Sequence, residues 1–294
     1  TLIFLPRVGP LSSWWVWGAC LLLNKPLWLS RTVADVKQIH DFTSDVASMK
    51  LPFRTPEIEH VFESDKLIIS IEERLEGTPL TDCLATGKTS DLDVAIDAII
   101  SILVSLRETS KPQNAHMLPM FDIKNPDSHM SGTELLRNLA QKRLDASPAL
   151  LEIFPDAFDF LEPLEYWLSS LDGPEVLTHG DLCGENILLD KNGRVSAVLD
   201  WGFLTCYAPP AIDQGISTGI LDMYSPHAQE TDERFVSRLL TRIDNADYKD
   251  ILRARALYAL ISATAYSAKG EDGHFMWCMN QFNRFEVREA VFSS

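Results

Sequence analysis

Two polar residues border a short apolar hairpin in this sequence. Asn186 comes directly before the run 187–189, and Asp200 directly follows the partly alternating run 194–199. An Asn-Gly pair at 192–193 predicts a two-residue hairpin turn between the runs. Because antiparallel strands end side by side, we expect the amide of Asn186 and the carboxylate of Asp200 to meet at the open end. Oxygen ligands of this kind suit Mg²⁺, which proteins usually hold with one or two carboxylates and substrate phosphates.

A third polar residue, Asp181, lies in the loop before the hairpin. A carboxylate there can orient a substrate hydroxyl group or accept its proton. From His179 the sequence reads His-x-Asp-Leu-x-x-x-Asn, and residues 200–202 read Asp-Trp-Gly. This is the spacing of a kinase catalytic loop, followed by an Asp-aromatic-Gly triplet where a kinase places its metal-binding Asp. Each piece alone is commonly just a loop or a hairpin, but the joint pattern indicates a kinase-type site.

The segment 178–202 resembles the catalytic segment of the aminoglycoside phosphotransferase and choline kinase superfamily of small-molecule kinases, fungal members among them. Gly180 favours this group over protein kinases, which usually have Arg at that place. The stretch 208–213, Ala-Pro-Pro-Ala-Ile-Asp, resembles the family's Pro-rich turn that leads to a supporting Asp. With weaker matches upstream, the resemblance covers roughly residues 31–290.

The resemblance implies transfer of the γ-phosphoryl group of ATP to a hydroxyl of a small molecule, with Mg²⁺ as the metal. It assigns catalysis to Asp181, metal binding to Asn186 and Asp200, and support of the loop to His179 and Asp213. The implied fold is α+β, a two-lobed protein-kinase-like fold. A small N-terminal β-sheet lobe (residues 1–76) would bind the nucleotide, and a mostly helical C-terminal lobe (residues 77–294) would carry catalysis and substrate binding.

The N-terminal lobe departs from the family pattern. It has no Gly-x-Gly-x-x-Gly phosphate loop. The cation that holds the ATP phosphates would be Arg31, on a third strand over 26–33, or Lys25, directly before that strand. Apolar residues at spacings of three and four predict a helix over 34–50. The segment 44–50 resembles Ser-Glu-Val-Ala-Thr-Met-Lys of fungal members, in which the acidic residue pairs with the strand cation. Asp45 takes that place here, so an Arg31–Asp45 pair is expected.

The segment 72–80 resembles the linker between the lobes, of the form Met-Glu-x-Ile-x-Gly-x-x-Leu. Two strands, over 58–62 and 66–75, precede it. In the family such a linker hydrogen-bonds the adenine, here through the Glu73 carbonyl and the Leu75 amide. The alternative is an edge strand followed by a turn.

The rest of the chain reads as helical. A helix is expected to begin at Ser90 with a capping box, and further helices are expected near 133–146, 156–171, 212–223, 231–243, 247–268 and 272–290. In the superfamily the late helices shape the acceptor pocket. Three acidic residues could line it and attract a cationic group, or simply belong to solvated helix faces: Glu271, Asp272 and Glu286. Tyr266, Phe275 and Trp277 are expected to be core residues rather than a cage for a cation.

Composition limits the partners. A net charge of −16 argues against nucleic acid, because phosphate backbones require a basic face. The longest apolar stretch, residues 14–23, is about ten residues long, whereas a membrane span needs about 20. The 5 cysteines show no Cys-x-x-Cys spacing, so neither a disulfide framework nor a zinc site is indicated. A reducing, cytoplasmic location fits these features best, and the resemblance implies a small-molecule hydroxyl substrate as the partner.

A different class of function is also open. The missing Gly-rich loop and strand Lys could mark a non-catalytic, pseudokinase-like nucleotide-binding or scaffold protein. The presence of Asp181, Asn186 and Asp200 together argues against this alternative, because a scaffold needs none of the three.

Overall fold

The computed structural model describes residues 13–16, 19–22, 33–64, 67–85, 87–121, 123 and 126–293. The first part of the chain forms a small antiparallel sheet with one helix, and the remainder is mostly helical. This is the α+β architecture that the sequence predicts. Among the described residues, no helix combines the length and the apolar character that crossing a membrane would take. The cysteines at 83, 183, 206 and 278 are free thiols.

The sheet contains four strands, which are β1 (Ser13–Val16), β2 (Ala19–Leu22), β3 (Ile58–Ser64) and β4 (Leu67–Glu73). Their order is β1-β2-β4-β3, and each neighbouring pair is antiparallel. Helix α1 (Val33–Ser48) packs against β3 and β4, burying Phe42 and Val46. The predicted helix over 34–50 is therefore confirmed. The predicted strand over 26–33 lies outside the described residues, except for Val33, which begins α1.

The chain leaves the sheet through a short connection. Residues 74–76 form neither helix nor strand, and β5 (Thr78–Pro79), α2 (Leu80–Leu84) and α3 (Thr89–Arg107) follow. The predicted capping box at Ser90 is wrong. The helix begins one residue earlier, no side chain caps it, and the Ser90 hydroxyl donates to Asp91 instead (3.2 Å).

Eight further helices build the larger part of the protein. They are α4 (Gly132–Asp145), α5 (Pro148–Ile153), α6 (Ala157–Ser170), α7 (Ala211–Ile220), α8 (Ala228–Arg242), α9 (Tyr248–Ser262), α10 (Gly273–Asn283) and α11 (Phe285–Phe292). Helix α5 was not predicted. The predicted helix over 272–290 is two helices, because Arg284 adopts an extended backbone (φ −67°, ψ 129°) that interrupts it. Helix α9 is buried along most of its length and packs against α4, α7, α10 and α11.

Two short antiparallel pairs lie between α6 and α7. Strand β6 (Val176–Thr178) pairs with β9 (Cys206–Ala208), and β7 (Ile187–Leu189) pairs with β8 (Val195–Val198). The loop 179–186 joins β6 to β7, and the loop 199–205 joins β8 to β9. Since both loops connect the same two pairs, they run next to each other.

The β7–β8 hairpin is confirmed, but its turn differs from the predicted two-residue type. Asp190 N–H donates to Arg194 O (2.7 Å) and Gly193 N–H donates to Asp190 O (2.9 Å). Gly193 has a φ of 75°, whereas the φ of Asn192 is not positive. A two-residue type I′ turn would need positive φ at both positions, so the chain forms a longer turn with one left-handed glycine.

Candidate active site

The loop 179–186 is fixed at its start by a buried carboxylate. The two oxygens of Asp213, at the start of α7, accept hydrogen bonds from His179 N–H (2.8 Å) and Gly180 N–H (2.9 Å). Asp213 is only 3% exposed. Burial raises its pKa to about 6, and the two amide hydrogen bonds oppose that rise. The side chain is thus mainly a carboxylate at neutral pH and holds two consecutive backbone amides.

His179 braces the loop from the inside. Its Nε2–H donates to Leu199 O (2.9 Å), and its Nδ1 accepts from Asp181 N–H (3.2 Å). Burial lowers the pKa of His179 to about 4, so the ring is neutral. Because a backbone N–H can only donate, Nδ1 must be the unprotonated nitrogen. The ring lies 4.5 Å from that of Trp201, centroid to centroid, and it joins the two neighbouring loops.

Gly180 allows the loops to come this close. Its φ of 77° lies in the left-handed region, and a Cβ there would lie 2.5 Å from Leu204 Cβ. No side chain fits without moving the second loop. The hydroxyl of Thr205 completes the junction, since it donates to His179 O (2.8 Å) and accepts from Gly202 N–H (2.9 Å).

Asp181 and Asn186 are in direct contact. The Asn186 side-chain nitrogen donates to the backbone oxygen of Asp181 (2.9 Å) and to its Oδ2 (3.2 Å). Asn186 O also accepts from Leu199 N–H (2.7 Å), which brings Asn186 to the strand end that carries Asp200. With its nitrogen engaged, the side-chain oxygen Oδ1 is the atom of Asn186 that can bind a metal.

Asp200 has a left-handed backbone with φ 56°. Such a conformation is uncommon for a residue other than glycine, although Asp tolerates it better than most, and strained backbones cluster at functional sites. The carboxylate of Asp200 raises the pKa of His179, an effect smaller than that of burial, which shows that the two residues are close. The hairpin therefore brings its two predicted metal-binding residues together at its open end.

The donor set fits Mg²⁺ in a particular way. In the part of the chain that the structure describes, no three His, Cys, Asp or Glu side chains form a group that could hold a metal ion. An ion here would rely on the Asp200 carboxylate, the Asn186 amide oxygen, and phosphate or water oxygens. Mg²⁺ is usually bound in this manner, through one or two carboxylates and substrate phosphates.

The carboxylate of Asp45 has a partner that the sequence does not predict. Asp45 Oδ2 accepts from the backbone N–H of His116 (3.2 Å) and lies 2.8 Å from His116 Nδ1. A second bond joins the same helix to the same loop, from Gln38 Nε2 to Met117 O (2.6 Å). Helix α1 is thus tied to the loop after α3. Arg31 and Lys25 lie outside the described residues, so the choice of cation stays a prediction.

The predicted linker is held on both sides. Glu73, the last residue of β4, forms a bidentate ion pair with Arg54, in which Nη1 donates to Oε1 (3.0 Å) and Nη2 donates to Oε2 (2.5 Å). The backbone of Arg54 in turn bridges to β8, since its N–H donates to Ser196 O and its oxygen accepts from Val198 N–H (both 2.9 Å). Leu75 is buried against Leu188 and Ala197 of the hairpin. The binding of adenine by the Glu73 carbonyl and the Leu75 amide stays a prediction.

Three tyrosines lie on the side of Asp181 that faces α9 and α10. After burial, the carboxylate of Asp181 is the next cause that raises the pKa of Tyr258 and of Tyr266, and it also acts on Tyr224. Tyr266 is 56% exposed and stacks nearly parallel to Phe203 (6.5 Å between centroids, 10°). The prediction that Tyr266 is a core residue is therefore wrong. Phe275 and Trp277 are buried, as predicted.

The three acidic residues predicted for the acceptor pocket have different surroundings. Asp272 Oδ1 caps α10 by accepting from Phe275 N–H (2.8 Å), and its buried Oδ2 has no hydrogen-bond partner among the described residues. Asp272 also raises the pKa of Tyr224, so it lies near the tyrosines. Glu271 is exposed. Glu286 is paired with Arg284 (2.6 Å), and its place in the acceptor pocket stays a prediction.

The geometry can now be compared with known proteins. The sequence model of the phosphotransferase enzyme family (APH) matches residues 25–257, which is most of the chain. This protein belongs to the phosphotransferase enzyme family. Members of the family transfer phosphoryl groups, as the name states. No curated protein sequence matched the chain.

Solved structures confirm the fold of this family member. An aminoglycoside phosphotransferase from Streptomyces rimosus, solved with ADP and streptomycin, has 18% identity, a TM-score of 0.51, and coverage of 83% of this chain and 86% of that one. A GDP complex of an aminoglycoside 2'-phosphotransferase variant has 13% identity, a TM-score of 0.56, and coverage of 97% of this chain and 93% of that one. An ethanolamine kinase from Plasmodium vivax has 15% identity, a TM-score of 0.52, and coverage of 90% of this chain and 74% of that one. These likenesses confirm the predicted two-lobed, kinase-like fold.

Sequence reasoning missed several residues that shape the site of this phosphotransferase. Thr205 closes the junction of the two loops, and Arg54 holds the linker. Neither belongs to a motif, and their partners lie 26 and 19 residues away in the chain. The exposure of Tyr266 was missed because apolar spacing predicts a buried helix face there, whereas α9 ends at Ser262.

Proposed function

We propose that this protein is an ATP-dependent phosphotransferase that moves the γ-phosphoryl group to a hydroxyl of a small molecule. The observation that carries the proposal is the arrangement of the loop 179–186. Asp213 and His179 fix its backbone, and Asn186 orients the Asp181 side chain at 3.2 Å. This set of hydrogen bonds fixes the position of one carboxylate, which suits catalysis because phosphoryl transfer depends on positioning and charge stabilisation.

In the proposed reaction, the acceptor hydroxyl oxygen forms a bond to the γ-phosphorus while the bond from that phosphorus to the β–γ bridging oxygen breaks. The hydroxyl proton passes to a carboxylate oxygen of Asp181, and ADP leaves with the electron pair of the broken bond. The hydrogen bond from Asn186 aligns that carboxylate before the acceptor arrives. His179 stays neutral and does not exchange protons, because its low pKa and both of its ring contacts assign it to the scaffold.

Asn186, through Oδ1, and Asp200 would hold Mg²⁺. Bound there with the nucleotide, the ion supplies positive charge that neutralises the phosphate oxygens. Asp200 holds this position with a left-handed backbone. We also propose that residues 1–76 act as the nucleotide-binding lobe and residues 77–294 as the catalytic and substrate-binding lobe.

The acceptor side favours a cationic group on the substrate. Two exposed tyrosine rings, Tyr224 (65% exposed) and Tyr266 (56%), lie close to the carboxylates of Asp181 and Asp272. Aromatic faces and carboxylates both attract ammonium groups. One of the similar structures contains streptomycin and another is an ethanolamine kinase, and we extend this class of acceptor, an amine-bearing alcohol, to the present chain.

A second candidate function is a non-catalytic nucleotide-binding scaffold. The contact of Asp45 with His116 favours it, because one oxygen of the carboxylate predicted to hold a phosphate-binding cation already accepts from another residue. Thermal denaturation with ATP and Mg²⁺ measures binding, since a ligand of the folded state raises the midpoint. Release of ADP with a panel of hydroxylated acceptors, each amine-bearing alcohol matched with its neutral analogue, measures turnover. Stabilisation together with turnover supports the phosphotransferase, and stabilisation without turnover on any acceptor supports the scaffold.

A further inference from the structure

Glu72 carries an unexplained buried carboxyl group. The residue is 8% exposed, and its Oε1 is fully buried without a hydrogen-bond partner among the described residues. An unsatisfied buried polar group is costly, and native proteins contain few of them. A carboxyl group in this state is expected where the protein gains more from a ligand than it loses in stability.

The surroundings of Glu72 place it next to the predicted linker. It is the next-to-last residue of β4, paired with Cys20 of β2 and with Ile58 of β3, and it immediately precedes the predicted base-binding residue Glu73. After burial, the carboxylate of Asp200 is the second cause that raises the pKa of Glu72, to about 7. The side chain therefore lies between the start of the linker and the end of β8. The linker pattern has Met at this place, so the carboxyl group is a departure in this chain.

We infer that the Glu72 carboxyl group reads the nucleobase and selects a 6-aminopurine over a 6-oxopurine. This rests on the proposed function and on the predicted linker contacts, in which the base lies against the Glu73 carbonyl and the Leu75 amide. Adenine presents two N–H donors on its 6-amino group and an acceptor at N1. The linker uses one donor and the acceptor, and the second N–H needs an acceptor, which Glu72 Oε1 supplies.

Guanine does not satisfy the same acceptor. Its O6 stands where adenine has the amino group, so the Glu73 oxygen and the ionised carboxylate of Glu72, which can only accept hydrogen bonds, would face a third oxygen. A site with buried polar groups discriminates strongly against an analogue that leaves them unpaired. Solved structures of this fold contain ADP in one case and GDP in another, so the fold alone leaves the base open and a side chain such as Glu72 can decide it.

The competing explanation is that Glu72 binds a cation together with Asp200. Among the described residues, Glu72 belongs to no group of three His, Cys, Asp or Glu side chains that could hold a metal. A base contact and a cation contact also differ in what they respond to. The first depends on the 6-substituent of the purine, and the second depends on Mg²⁺ with every nucleotide alike.

The test compares Glu72→Met and Glu72→Gln with wild type, using Ser70→Ala as the matched control. Ser70 is buried on the same face of β4, two residues further from the linker. Affinities for ATP, GTP and purine riboside triphosphate, which lacks the 6-amino group, are measured by calorimetry with Mg²⁺. Wild type is expected to prefer ATP, and Glu72→Met is expected to reduce the ATP-to-GTP affinity ratio about tenfold or more, the effect of losing a charge-assisted hydrogen bond. Glu72→Gln should give an intermediate ratio, and Ser70→Ala should keep that of wild type.

A double-mutant cycle, in which Glu72→Met is combined with removal of the 6-amino group from the nucleotide, isolates the energy of the contact between them. Removal of the amino group should cost wild type about tenfold more affinity than it costs Glu72→Met. Both Glu72 variants should be at least as stable to urea as wild type, because they remove an unpaired buried carboxyl group, so lost binding cannot be attributed to unfolding. Unchanged nucleotide ratios in a folded Glu72→Met protein overturn the inference and leave the proposed function intact. An equal loss for all three nucleotides with altered Mg²⁺ dependence overturns it in favour of a cation site. Absence of nucleotide binding by wild type overturns the proposed function and this inference with it.

Discussion

Replacing Asp213 with Asn separates the stability of this protein from its catalysis. Burial raises the pKa of Asp213 to about 6 from 3.8, so its charged form costs the folded state about 3 kcal/mol relative to the neutral form. Asn carries no charge and recovers this cost. It also has one acceptor oxygen where Asp213 uses two, so the N–H of His179 or Gly180 is left unpaired at a cost of about 1–3 kcal/mol. The two effects nearly cancel, and the unfolding midpoint should stay within a few degrees of that of wild type.

Turnover should respond differently. The unpaired amide frees the start of the loop that carries Asp181, and a displacement on the order of 1 Å can cost about 10²-fold in rate. The assay pairs thermal denaturation with ADP release, and hydrogen exchange at the amides of 179 and 180 reports the loosening. Asp250→Asn is the control, since Asp250 accepts from the Trp167 indole (2.8 Å) and Asn keeps that acceptor. A variant with wild-type turnover, or one whose midpoint falls by more than about 10 °C, would refute this reasoning.

Three further outcomes are expected. Asp200→Ala should abolish the Mg²⁺-dependent part of the stabilisation by ATP without unfolding the protein, and full Mg²⁺-dependent protection in that variant would exclude Asp200 as a ligand. Arg54→Ala should raise the KM for ATP about two- to fivefold. The increase should be larger at low salt than at high salt, because the ion pair of Arg54 with Glu73 is largely exposed. A KM equal to that of the Arg74→Ala control would contradict a role of Arg54 in holding the linker. Burial lowers the pKa of His274 to about 4 from 6.5. The contribution of the neutral ring to the free energy of unfolding, up to about 3 kcal/mol, is therefore present above pH 6.5 and is lost as the pH falls toward 4. In urea titrations, the stabilities of wild type and His274→Gln should differ above pH 6.5 and converge between pH 6.5 and 4.

The catalytic segment could be predicted from sequence because its geometry is local. Asn186 and Asp200 are joined by one hairpin, and a hairpin dictates which residues meet at its open end. The supporting function of His179 and Asp213 followed from the resemblance, and the structure supplies contacts consistent with it. The turn itself was mispredicted, because Asn-Gly favours a two-residue turn only when both residues take positive φ.

Contacts between distant parts of the chain could not be predicted in this way. The contact of Asp45 with His116 joins residues that are 71 positions apart, and His116 lies in a loop whose path the sequence pattern does not define. The pairing of Glu286 with Arg284, two residues earlier, was likewise not predicted. Glu72 was passed over because one acidic residue in a strand gives no periodic signal, and only its burial shows that it is exceptional.

The central claim is that Asp181 takes the proton from the acceptor hydroxyl. Asp181→Asn keeps the shape of the side chain and an oxygen that can accept from Asn186, but removes the negative charge. The decisive measurement pairs ATP affinity by calorimetry with phosphoryl transfer to an acceptor found in the panel. We expect the affinity of wild type, because the other proposed contacts remain, and turnover lower by about 10²–10⁴-fold. Loss of both would show that Asp181 is structural, and wild-type turnover would contradict the proposed mechanism.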